Sequence, residues 1–135
     1  FIVEQFVIEQ TGSPALMLRS PLRLYAKYGE LELVTIDTKR RHVGLSTDTA
    51  HFAWSVAVQF GKLFVIESNQ IRATYPAVNG TTIRIVVRDG VVTYLRNGAE
   101  IFRSERAFTG SAAIDIALED TQTRPGVLTI IGGSR

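Results

Sequence analysis

Cysteine is absent from the 135 residues, so neither a disulfide framework nor a thiolate metal site is open to this chain. Histidine occurs only at His42 and His51, and no Gly-x-Ser-x-Gly elbow is present, so the sequence carries no signature of a nucleophilic triad. No apolar run comes near the roughly 20 residues that cross a bilayer as a helix. No charge predominates: 15 basic against 13 acidic side chains leave a formal +2, too little for a nucleic-acid groove. Gly132-Gly133 has no helix after it, so a phosphate cradle is excluded there. The chain opens on Phe1 rather than methionine and is expected to be one domain, residues 1–135, taken from a longer protein.

What is present is a period of two. In Thr82-Ile83-Arg84-Ile85-Val86-Val87-Arg88, the residues Ile83, Ile85 and Val87 share one face while Arg84 and Arg88 take the other. That is the pattern of a half-buried strand, because successive side chains leave opposite sides of the pleat. The pattern recurs over residues 2–9, 22–28, 30–37, 52–59, 62–68, 70–75, 112–118 and 127–131. Turn-formers punctuate it: Thr11-Gly12-Ser13-Pro14, Ser20-Pro21, Gly61, Asn79-Gly80, Asp89-Gly90, Asn97-Gly98 and Arg124-Pro125-Gly126. Asp89-Gly90 and Asn97-Gly98 are two-residue connections that accept positive φ at both positions, so residues 83–104 read as a three-stranded meander. With a hydrophobic fraction of 45% the chain can bury a core, and about a dozen short strands predict an all-β, two-sheet antiparallel sandwich. A closed barrel is the competing architecture.

The run Val91-Val92-Thr93-Tyr94-Leu95-Arg96-Asn97-Gly98, followed by Phe102-Arg103-Ser104, resembles a hairpin of concanavalin A-like sandwich modules, SPRY-like and LamG-like ones among them. Val43-Gly44-Leu45-Ser46 is similar to a Gly-Leu-Ser strand of these modules, and residues 52–58 and 62–69 to the strands that follow. Together these matches span roughly residues 43–131. The resemblance implies a jelly-roll sandwich and a lectin-like role, non-enzymatic, binding carbohydrate on a cell surface. Its expected setting is an extracellular or virion surface, in a larger protein such as a phage tail or fibre, beside neighbouring domains or subunits. The alternative function is a structural module that mediates subunit packing, with Val86, Leu95 and Ile101 as its apolar patch.

Glucanases of the same superfamily carry a Glu-x-Asp-x-Glu strand whose alternation aims the acids at one cleft. Ala113-Ile114-Asp115-Ile116-Ala117-Leu118-Glu119 departs from it, with alanine in the nucleophile position and Glu119 one residue too far on. Glu30 and Glu32 are in phase on a strand and read as solvated charges. Lys39-Arg40-Arg41 reads as a solvated basic turn. Trp54 and Tyr94 are in phase with apolar neighbours and are expected in the core. Tyr25, Tyr28, Tyr75 and Phe108 are the rings expected to be free for a ligand. The preferred ligand-binding set is Tyr75, Asn69, Arg72, His51 and Asp48. No cofactor is expected: His42 and His51 flank the loop of Asp48 but match no strong zinc-ligand spacing, and calcium held by Asp48 with loop carbonyls and hydroxyls is the other metal open to it.

Overall fold

The structure, a computed structural model, describes residues 3–7, 16–35, 40–118 and 127–132. These form twelve strands: β1 (Val3–Val7), β2 (Leu16–Tyr25), β3 (Tyr28–Val34), β4 (Arg41–Ser46), β5 (Trp54–Gln59), β6 (Lys62–Glu67), β7 (Gln70–Pro76), β8 (Thr82–Arg88), β9 (Val91–Arg96), β10 (Ala99–Arg103), β11 (Ser111–Leu118) and β12 (Val127–Ile131). Two six-stranded antiparallel sheets result, one in the order β1-β12-β3-β8-β9-β10 and the other β2-β11-β4-β5-β6-β7. The architecture is the two-sheet sandwich that the alternation predicts. Among the described residues no helix is long and apolar enough to cross a membrane.

One apolar side of each sheet meets the other. Leu22, Leu24, Leu45, Trp54, Leu63 and Ile114 from the second sheet pack with Leu31, Ile83, Ile85, Val92, Tyr94 and Leu128 from the first, all in one buried cluster. Each such side chain contributes about 1.5–3 kcal/mol on leaving water, which is why the alternation decides the layering. Trp54 and Tyr94 lie inside as expected. The 83–104 meander is also as expected: Asp89, Gly90, Asn97 and Gly98 all have positive φ, and β8, β9 and β10 pair in sequence. Phe60-Gly61 and Ser68-Asn69 make two more connections with positive φ at both positions.

A buried polar bridge ties the layers. Tyr94 donates its hydroxyl to Glu67 Oε2 at 2.8 Å, Ser104 donates to Oε1 at 3.1 Å, and Trp54 Nε1 donates to Ser104 Oγ at 3.2 Å. Burial, and then the Glu67 carboxylate beside it, push the Tyr94 phenol far up, so it stays a donor. Tyr94→Phe should therefore lower stability by about 2 kcal/mol, the cost of stranding one buried carboxylate oxygen, with the fold retained. Urea denaturation with unchanged circular dichroism checks this.

Four local expectations are corrected. Ser20-Pro21 is no turn but lies inside β2, an edge strand, at the bulge between Arg19 and Arg23, where proline is tolerated. The chain turns instead at Ala26-Lys27, between β2 and β3, within the span read as one strand. Arg41 is not on a solvated turn: it is fully buried on β4, opposite Val58, while Arg40 is exposed and Lys39 lies outside the described residues. Glu30 faces outward but is buried beneath Arg84, with which it pairs across β3 and β8.

Candidate functional site

The outer side of the second sheet carries a cleft of about 450 Å³, lined by Arg19, Arg23, Ser46, Thr47, Asp48, Thr49, Ala50, His51 and Ala113. Three neighbouring strands build it. β11 pairs with β2 on one side and β4 on the other, so Asp115 stands opposite both Arg19 and Gly44. A bulge sets four residues of β2 against two of β11, so Arg19 and Arg23 reach the same cleft over a short stretch of floor. The β4–β5 loop forms the far wall and is pinned at both ends. Thr47 N donates to Ala50 O at 2.9 Å, Ala50 N to Thr47 Oγ1 at 3.1 Å, and Phe52 N to Ser46 Oγ at 2.9 Å.

Asp115 is the buried anchor. Its side chain is 1% exposed, and Arg19 grips it in two bonds, Nε to Oδ1 at 2.7 Å and Nη2 to Oδ2 at 3.0 Å. His51 Nδ1 lies 3.7 Å from Oδ2, with its ring largely in solvent. Burial alone would raise the Asp115 pKa, but hydrogen bonds from Arg19 and Ser46, the Arg19 charge and His51 together hold it below the usual carboxylate value. Arg19 in turn is raised, mainly by its bond to Asp115. The guanidinium is thereby locked in place, a positioned donor rather than a swinging one.

Of the residues expected to bind ligand, Asp48 and His51 meet in this cleft; Asn69, Arg72 and Tyr75 do not line it. Asn69 sits at the β6–β7 turn and Arg72 is exposed on edge strand β7. Tyr75 packs against the core and donates its hydroxyl to Ile101 O at 3.2 Å. Phe108 is not free for a ligand: it is 1% exposed and packs on Trp54 with ring centroids 5.0 Å apart. Tyr25 is exposed, two residues beyond Arg23 on the same face of β2. His42 does not line the cleft: it stacks on Phe52 of the β4–β5 loop and is bonded to Ser55.

Arg19 and Arg23 were not legible as site residues. Reading Ser20-Pro21 as a turn separated two arginines that an unbroken strand puts on one face. For the metal, Asp48 and Asp115 are the acidic side chains at the cleft, and both Asp115 oxygens face Arg19. Among the described residues no group of three or more His, Cys, Asp or Glu could hold an ion. Glu119, the other half of the glucanase-like pair, lies outside the described residues.

The chain has a concanavalin A-like, two-sheet β-sandwich architecture. It superposes on a galectin, LEC-6, of Caenorhabditis elegans with a TM-score of 0.55 and 17% identity, covering 97% of this chain and 96% of that one. The exoplasmic/lumenal domain of VIP36, in a Ca2+/Man3GlcNAc-bound form, gives 0.58 and 8% identity over 97% and 83%. The alginate lyase AlgAT5, from polysaccharide lyase family 7, gives 0.58 and 13% over 95% and 73%. At such identities the likeness is one of fold. No protein-family model matches the chain, and no curated protein does.

Proposed function

We propose that this chain is a non-catalytic carbohydrate-recognition module of an extracellular or virion surface, with cell-surface glycan as its ligand and the Arg19–Asp115 cleft as its site. The cleft itself carries the reading. It is a concave, polar site in which two guanidinium groups, an imidazole, a carboxylate and threonine hydroxyls converge, a donor and acceptor set suited to a ring of hydroxyls. Tyr25 adds an exposed ring on the same face. Two of the three structures named above are a galectin and a domain bound to Ca2+/Man3GlcNAc, which supports the reading. Asp115 is unsuited to the general-acid role: a glycosidase keeps that carboxyl protonated, and Arg19 drives this one the other way. Such a site binds weakly alone and gains by multiple copies in an assembly.

A glycan array, probed with and without calcium, tests this; a flat response at millimolar sugar would overturn it. Asp48→Asn and His51→Ala, both at exposed positions, should each weaken binding about tenfold without moving the unfolding midpoint.

A second reading, a packing module of an assembly, is favoured by the outer side of the first sheet. There Val86, Val91 and Leu95 line a depression of about 530 Å³ with Glu30, Arg88 and Arg103. Ile101, expected in that patch, packs instead against the core. Concentration-dependent sedimentation together with a silent array would favour this reading over the first.

A further inference from the structure

Among the described residues, Arg23 is a cleft cation with no carboxylate partner. Its Nε donates to Ser111 Oγ at 3.0 Å, which sets the plane of the guanidinium. Arg19 is in the opposite state, with Nε and Nη2 on Asp115 and Nη1 without a partner among the described residues. The charged and titratable groups around the cleft are Arg19 and Arg23 from β2, Asp48 and His51 from the β4–β5 loop, and Asp115 from β11. Asp115 is neutralised by Arg19. What remains is a fixed cation on the β2 wall and an exposed carboxylate on the loop wall, with β11 between them.

We infer that the glycan taken by this cleft carries an oxyanion, a carboxylate or a sulfate ester, seated against the free Nη edge of Arg23 with Arg19 Nη1 beside it. This rests on the carbohydrate reading and adds the charge of the ligand. A guanidinium edge presents two parallel donors that match two oxygens of such a group, and one already held by a neutral hydroxyl keeps its full charge. Asp48 accepts hydrogen bonds only, so it takes ring hydroxyls and repels an anion from its own wall. The ligand therefore lies one way round, acid toward β2 and hydroxyls toward the loop.

Calorimetric titration with matched pairs tests this: oligogalacturonate against its methyl ester, and a sulfated galactoside against its unsulfated parent. At least one charged member should bind about tenfold tighter than its neutral counterpart. That difference should shrink as salt is raised. Arg23→Gln should abolish the difference, and Arg23→Lys, a point charge without the fork, should keep part of it. If the glutamine variant does not fold, the lysine variant still reads the loss. Equal affinity within both pairs would overturn the inference and leave the carbohydrate reading standing, and so would a preference that survives in Arg23→Gln. Silence from every probe would sink both.

Discussion

Gly44→Ala should cost more than about 3 kcal/mol, at or beyond the upper end of ordinary overpacking, and folded protein should be hard to recover. Gly44 lies mid-strand in β4, opposite Ser55 on β5 and Asp115 on β11. A Cβ built on it would stand 2.3 Å from Ser55 Cβ, 2.4 Å from Trp54 O and 2.6 Å from Ser55 Cα. Two of those atoms are backbone, so the strands themselves would have to part. A strand-interior glycine marks such a close approach, and here the approach is on the outer side, where β11, β4 and β2 build the cleft. Gly98→Ala is the control: it has φ +83 and nothing within 4 Å of an added Cβ, so it should cost only about 1 kcal/mol, from backbone conformation alone. Urea denaturation of both variants decides it. Equal stability would mean that β4 and β5 do not meet this closely.

Acidification is the second large effect. Ser55 Oγ lies 2.7 Å from Ile66 O and 2.7 Å from His42 Nε2. A hydroxyl has one hydrogen, and it goes to the carbonyl, so Nε2 must carry the proton that bonds Ser55 Oγ. His42 is thus the neutral Nε2–H tautomer, stacked on Phe52 with centroids 3.8 Å apart. Burial, with a smaller push from the Arg40 charge, lowers its pKa from 6.5 to about 4. The unfolded chain takes up a proton near pH 6.5 and the folded chain resists until about 4, so the unfolded state binds more protons across that window. Stability is fully present above the window and falls as pH drops through it, by up to about 3 kcal/mol. Asp115, depressed by Arg19, adds a loss of the same sign at lower pH. His42→Gln keeps a donor for Ser55 and does not titrate, so its stability should stay flat through the window while the parent protein loses its own. Denaturant midpoints across the range check both.

Much of the fold was legible because its signals are local. Asp89-Gly90 and Asn97-Gly98 are residue types that accept positive φ, and here they take it; the alternation of Ile83, Ile85 and Val87 needs no partner to be read. Trp54 and Tyr94 followed the same phase into the core. The failures are equally physical. Arg41 continues the alternation of Val43 and Leu45 inward, but a basic triplet reads as solvated unless burial is known. Glu30 was given the correct side of β3, yet Arg84 covers it, a cross-strand event that one strand does not reveal.

The candidate site shows where that limit falls. Alternation and turn chemistry, both properties of a few consecutive residues, determined that this chain is all-β and which side of most strands faces in, while two separate sheets rather than a closed barrel came from the tertiary structure. They could not determine that β11 would lie between β2 and β4, because strand order is settled by which apolar faces close the core together. That order brings Arg19 to Asp115 across 96 residues and sets His51 beside them, so the cleft exists only once the sheet has formed.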